Sequence, residues 1–278
     1  MNSVQGAGLG LRRGDIQRNL LEHNIESVDF LEAAPENWIE IGGRDGFELR
    51  QLTERFPLVC HGLTLDIGGQ QPLSLEFLQS LKDFFRTHGV SIYSEHLCFT
   101  ADQGQLYDLM PMPFTSEAVL HVSSRIKQVQ DFLEMPLAME NISYYVDTGG
   151  EMSELEFINA VLDEADCQLL LDVNNIYVNS VNHGYDPEAF LRGLPMNRVS
   201  YIHVAGHSRR SENLIIDTHG NDVVDPVWSL LMQAYDRLGE CPTLLERDFN
   251  IPTMSAIQEE LGIIRRLQSE SREVKRYA

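Results

Sequence analysis

Six segments of this chain end alike: a short run rich in Val, Ile, Leu and Ala stops on one acid or one histidine. They are LVCHG at His61, SIYSEH at His96, PLAMEN at Glu140, LLLDVNN at Asp172, SYIHVAG at His203 and TLLERD at Glu246. Apolar runs of this length read as strands buried on both faces, and a charged side chain at their carboxyl ends does nothing for packing. If the strands are parallel and close into a barrel, the six side chains converge on one rim, where carboxylates and imidazoles can surround metal ions.

The rest of the chain supports closure. Strands are predicted near residues 6–11, 28–34, 57–62, 90–96, 136–141, 168–173, 198–205 and 242–247. Helical patterns lie near 15–23, 44–55, 74–88, 115–133, 153–165, 186–193, 226–238 and 254–269. Capping chemistry marks several starts: Thr115 or Ser116 before Glu117, Ser153 ahead of Glu156, and Asp225 followed by Pro226. Eight β-then-α units with short connections give an α/β fold, a (β/α)8 TIM barrel, as one domain over residues 1–278 with the polar tail 270–278 fraying. A doubly wound open sheet is the structural alternative, but no G-x-G-x-x-G follows a strand.

Composition excludes several function classes. No apolar run approaches the roughly 20 residues of a membrane span, and MNSVQGAGLGLRRGD lacks the apolar stretch of a signal peptide, which places the chain in the cytoplasm. Cys60, Cys98, Cys167 and Cys241 are scattered without a C-x-x-C pair and read as buried free thiols. With 42 acidic against 21 basic residues the formal charge is −21, which repels phosphate backbones and argues against a nucleic-acid partner.

Alternation along the strands sharpens the site. Ser94 and His96 share one face with Glu95 on the other, Glu246 and Asp248 share a face with Arg247 opposite, and Asp172 aligns with Asn174. AAPENW after the second strand offers Glu36 and Asn37, and DTHG after the seventh offers Asp217 and His219 as an i, i+2 pair for one ion. The loop DIGGQQPLS reads either as a flap beside His61 or as an ordinary connection. His23, His88, His121 and His183 read as solvated or capping residues, whereas His207 in VAGH lies over the rim. The metal-ligand candidates are His61, His96, Glu140, Asp172, Asn175, His203, Asp217, His219 and Glu246; Asp248, Asn141 and Glu36 are the candidate catalytic groups. Nine ligands are too many for one ion and would supply two or three, and imidazole with carboxylate suits iron, manganese or zinc.

GLGLR, PENW, HGLTLDIGG, SEHLCF, MENIS, LLDVNNIYVNS, YIHVAGH, DTHG and LLERD, in that order and across almost the whole chain, resemble the multinuclear non-heme iron-dependent oxidases. That family includes the methanobactin biosynthetic oxidase and other enzymes that modify cysteines of ribosomally made peptides. The resemblance implies a xylose isomerase-like barrel with a mixed ferrous–ferric site of two or three irons. It carries over onto His61, His96, Glu140, Asp172, His203, Asp217, His219 and Glu246 as iron ligands, while Asn175 stands where some members have histidine. It implies oxidation at a substrate cysteine with dioxygen, a small cysteine-containing precursor peptide as substrate, and a separate companion protein that binds the peptide's leader.

Three other readings use the same residues. A sugar isomerase or epimerase would need one or two zinc, manganese or magnesium ions and no oxygen; a phosphodiesterase-type hydrolase is disfavoured on DNA by the acidic charge; a metal-binding scaffold would need no turnover at all.

Overall fold

A computed structural model describes residues 4–23, 25–102 and 104–277. In chain order its elements are β1 (Ala7–Gly10), α1 (Asp15–Glu22), β2 (Phe30–Ala33), α2 (Gly43–Thr53), β3 (Leu58–His61), α3 (Leu75–His88), β4 (Tyr93–His96), β5 (Phe99–Ala101), β6 (Gln105–Met110) and α4 (Ser116–Leu133). Then come β7 (Leu137–Glu140), α5 (Glu154–Ala165), β8 (Gln168–Asp172), α6 (Val173–His183), α7 (Pro187–Gly193), β9 (Val199–Ala205), β10 (His207–Ser211), β11 (Leu214–Asp217), α8 (Asp225–Leu238), β12 (Thr243–Glu246) and α9 (Met254–Tyr277). Eight parallel strands close into a barrel in the order β1-β12-β9-β8-β7-β4-β3-β2. Two short antiparallel hairpins, β5-β6 and β10-β11, stand on loops after barrel strands. No helix among the described residues is long and apolar enough to cross a membrane.

The two-residue period of each strand builds the interior in layers. Phe30, Val59, Ala138, Leu170, Tyr201 and Leu244 form an inner cluster of their own. Their chain neighbours Leu31, Cys60, Met139, Leu171, Ile202 and Leu245 face outward into the main core under the helices. Two residues beyond each inner one comes a polar ring: Glu32, His61, Glu140, Asp172, His203 and Glu246, each at most 6% exposed. The apolar layer is thus the floor on which the charged layer rests. Gly8 completes the floor by omission, because a Cβ there would lie 2.3 Å from Cζ of Phe30.

The helix starts follow the predicted chemistry, with one difference. Thr115 caps α4 through the Ala118 amide, and Ser153 and Glu156 form a full capping box on α5. Asp225 lies inside α8 with Val224 at the cap, so it acts as an acid in the first turn.

Several elements differ from the sequence expectation. The chain after Asp172 turns at once into α6, so Asn174 is helical and no longer continues the strand alternation; Asp172 itself caps α6 by accepting from the Asn175 amide at 2.6 Å. The last helix extends through Tyr277. Gln268 donates to the carbonyls of Gly6 and Cys241, and the Ser271 hydroxyl donates to Tyr235, which ties the helix across the foot of the barrel. The loop containing DIGG is pinned: the buried Arg125 guanidinium donates to the carbonyls of Asp66, Ile67 and Gln71. Three such bonds from one cation favour the ordinary-connection reading over a flap.

Outside the barrel, Glu154 at the start of α5 is buried, accepting from Asn179 of α6 at 3.0 Å and from the Tyr144 hydroxyl at 3.2 Å. Burial raises its carboxyl from 4.5 to about 7 despite those donors. The folded state therefore favours the protonated form. Its contribution to stability is complete below about pH 4.5 and is lost as pH rises through about 7. Glu154→Gln should remove this dependence. Its urea midpoint relative to wild type should rise by the equivalent of about 2–3 kcal/mol between pH 4.5 and 8, and a pH-independent difference would sink the assignment.

Candidate metal centre

Strand register brings the ring side chains together in pairs. His96 lies opposite Glu140 across β4 and β7, and Asp172 lies opposite His203 across β8 and β9. His61 Nε2 and His96 Nε2 stand 3.0 Å apart, and Glu140 Oε2 is 3.1 and 3.3 Å from them. Ligand atoms roughly 2.1 Å from a shared ion stand about 3.0–3.4 Å from each other, so this triad has the span of one coordination sphere.

A second position adjoins it. Glu140, Asp172 and His203 form another such group, and His203 Nδ1 lies 3.1 Å from Glu246 Oε2 and 3.9 Å from Glu140 Oε1. The two oxygens of Glu140 thus face two different positions. The other oxygen of Glu246 turns to His219, 3.5 Å from its Nδ1. His219, at φ 47° in the DTHG loop, is wedged between three carboxylates. Its Nδ1 meets Asp248 Oδ2 at 3.0 Å, and its Nε2 lies 2.7 Å from Asp217 Oδ1. Glu140 and Glu246 are placed as shared walls along a row of three positions.

The donor atoms are left bare. Glu140 Oε2, Asp172 Oδ2, Asn175 Oδ1, His96 Nδ1, His203 Nδ1, His219 Nε2 and Glu246 Oε2 are all buried without a hydrogen-bond partner. Glu140 Oε2, His203 Nδ1 and His219 Nε2 each sit within 3.1 Å of an oppositely natured atom. Buried polar atoms are seldom orphaned, and this many in one place fits cations. All four cysteines are buried elsewhere as free thiols, so the donor set is oxygen and imidazole nitrogen.

The electrostatics match. Burial would lower His61, but Glu140 overrides it and raises the imidazole to about 9. Burial and the His61 charge together push His96 down to about 4. Burial also opposes ionisation of Glu140, yet His96 and His61 hold it at about 2. Asp172 is pushed well up by burial and by the nearby Glu140 and Asp217. In the metal-free ring a proton on His61 takes a cation's place.

The remaining predicted residues are placed around this row. Asn175 donates to Glu140 Oε1 at 3.3 Å and keeps its own oxygen free. Asn141 is spent on the backbone of Asp172, donating to its carbonyl at 2.8 Å and accepting from its amide at 2.9 Å. Glu36 Oε1 accepts from the amides of Leu63 and Thr64 and so anchors the loop after His61. Asp248 accepts from Arg12 Nε at 2.8 Å and lies with Glu246 on the Nδ1 edge of His219, where the three make a further group that could hold a cation. Arg247 points outward to Glu260 of α9, as alternation predicts. His207 holds Asn174 Oδ1 at 2.8 Å, and Asn174 holds Asp217 Oδ1 at 2.9 Å. His88, His121 and His183 bond Thr53, the Gly69 carbonyl and the Tyr144 carbonyl, away from the row.

Sequence reasoning missed Glu32, whose Oε2 accepts from Tyr201 at 2.7 Å and His203 Nε2 at 2.9 Å. An acid inside the apolar stretch FLEAA was the available signal.

A bound cation should stabilise the fold. Chelation of the metal-loaded protein should lower Tm by roughly 10 °C, from about 4 kcal/mol of linkage at a thousandfold excess over Kd. Because cation and proton compete for His61, metal affinity should weaken as pH falls below about 9; an affinity flat from pH 9 to 7 would contradict the assigned ligand.

Comparison with solved structures shows the fold. The D-psicose 3-epimerase of Clostridium cellulolyticum H10 superposes with a TM-score of 0.58 at 11% identity, covering 98% of each chain. Endonuclease IV of Thermus thermophilus gives 0.59 at 15% identity, covering 96% of this chain and 99% of its own. These are TIM barrels of the xylose isomerase type. A protein of Shewanella sediminis, named only UPF0276 protein, is 53% identical over 96% of each chain. Residues 6–269 match the model of the family described as RiPP precursor modification enzyme MbnB/TglH/ChrH.

Proposed function

Because the chain belongs to the MbnB/TglH/ChrH family of RiPP precursor modification enzymes, we propose that it is an iron-dependent oxidase that uses dioxygen to modify a cysteine of a ribosomally made precursor peptide. The observation that carries this reading is the row of buried, unpartnered imidazole and carboxylate atoms, with Glu140 and Glu246 each facing two positions. Two or three iron ions held there would supply a Lewis acid for a substrate thiolate and electrons for the reduction of dioxygen.

The protein's own part is to hold and to exclude. His61, His96 and Glu140 would hold one ion, Glu140, Asp172 and His203 a second, and His219, Glu246 and Asp248 a third, with Asp217 beside His219 Nε2. The apolar floor of Phe30, Val59, Leu170 and Leu244 keeps water from below. Large apolar side chains stay exposed on loops at the mouth, among them Leu63, Val146, Phe249 and Ile251. An apolar collar of this kind suits peptide side chains better than the hydroxyls of a sugar. Leader binding is assigned to a separate companion protein, as the family resemblance implies.

The test is metal analysis of protein purified anaerobically from iron-supplemented cells, with Mössbauer or electron paramagnetic resonance spectra. Two or more irons per chain and a coupled ferrous–ferric signal are expected. His96→Ala should lose at least one iron and about 10–100-fold in oxygen-dependent turnover of the peptide while staying folded. Zinc, manganese or magnesium alone, with activity kept under anaerobiosis, would replace the oxidase with an isomerase or hydrolase.

A further inference from the structure

Beneath the metal row five buried side chains make a continuous hydrogen-bonded line. His61 Nδ1 meets Ser94 Oγ at 2.8 Å, Ser94 Oγ meets the Tyr201 hydroxyl at 2.6 Å, and that hydroxyl meets Glu32 Oε2 at 2.7 Å. The same Glu32 oxygen meets His203 Nε2 at 2.9 Å. Ser94, Tyr201 and His203 are fully buried, and Glu32 and His61 nearly so. Glu32, Ser94 and Tyr201 lie on three different strands, so only barrel closure joins them.

Counting protons along the line fixes its direction. The Tyr201 hydroxyl donates its single proton to Glu32 Oε2. The Tyr201 oxygen can then only accept from Ser94, which directs the Ser94 proton to it. Ser94 also lies 3.3 Å from the Cys60 carbonyl, a longer and weaker alternative than the 2.6 Å contact. With its own proton committed, Ser94 accepts from His61 Nδ1–H. At the other end Glu32 accepts from His203 Nε2–H. When cations replace the extra protons, this order leaves His61 Nε2 and His203 Nδ1 as the nitrogens free to face the row.

We propose that Glu32, acting through Tyr201 and Ser94, is a positioning residue that sets the tautomers of His61 and His203 together and so couples two metal positions. Glu32 touches His203 directly but reaches His61 only through the line. A ligand histidine needs its other nitrogen held by an acceptor, and loss of such a partner weakens metal binding about 10–100-fold. The inference rests on the metal centre, and on neither the iron nor the peptide.

Cobalt(II) titration of the full chain against a competing chelator tests it, read by the visible absorption of bound cobalt. Wild type should take up at least two ions. Tyr201→Phe, which removes one oxygen touching no ligand, should weaken the His61 ion about tenfold or more and alter its absorption bands, while the His203 ion, whose Nε2 keeps its direct bond to Glu32, stays in place. Ser94→Ala should weaken only the His61 ion, and Glu32→Gln should weaken both. Melting of the metal-free variants separates folding from binding, since a merely structural hydroxyl would lower that Tm and leave affinity and spectrum alone. Cobalt affinities within twofold of wild type in Tyr201→Phe and Ser94→Ala would overturn the relay while leaving the metal centre standing. A wild type that binds no cobalt would overturn the metal centre and the relay with it.

Discussion

Everything at the mouth of this barrel depends on placing Glu32, Glu140, Asp172 and Glu246 out of water within reach of one another. Ionised carboxylates in so small and dry a space repel, and each costs several kcal/mol to bury without compensation. His61, His203 and His219 answer part of that charge, and their imidazoles rise well above their ordinary values because the acids surround them. Protons are the weaker solution. Atoms such as Glu140 Oε2 and His203 Nδ1 remain bare, and cations are the counter-charge that satisfies all of them at once.

The surrounding structure is organised to hold that arrangement still. Asn141 clamps the Asp172 backbone from the neighbouring strand, and α6 begins on Asp172 itself, so the carboxylate also meets the positive end of a helix. Arg12 and Asp248 fix the outer side of His219, Arg125 ties down the loop after β3, and Asn182 bonds both backbone groups of Ile215 in β11. Ligand side chains on strand ends backed by such bonds keep their spacing when the counter-ion changes. A shared barrel is compatible with several chemistries, so activity has to be argued from these side chains and not from the fold.

Much of the site was legible because its logic is local. A two-residue period put Ser94 and His96 on one face and Glu95 on the other, and made Arg247 the outward neighbour of Glu246 and Asp248; the structure keeps these alternations. The pattern failed where the chain stopped being a strand. At Asp172 a cap converts strand to helix within one residue, and Asn174 reaches Asp217 from the helix. The β10-β11 hairpin, with strands of five and four residues and a polar first strand, carries Asp217 to its place.

Sequence alone determined the eight strands and the acids and histidines at their carboxyl ends, because each follows from alternation and apolar run length within a few residues. Tertiary structure decided which of those groups meet. Glu32 and Tyr201 stand 169 positions apart, and their bond exists only because the first and second halves of the barrel close on each other. The roles of Asn141, Glu36 and Asp248 were likewise set by which backbone or imidazole lay within 3 Å of each. Spacing along a chain says which face a side chain takes, but partners across a closed barrel depend on register and packing that no local pattern encodes.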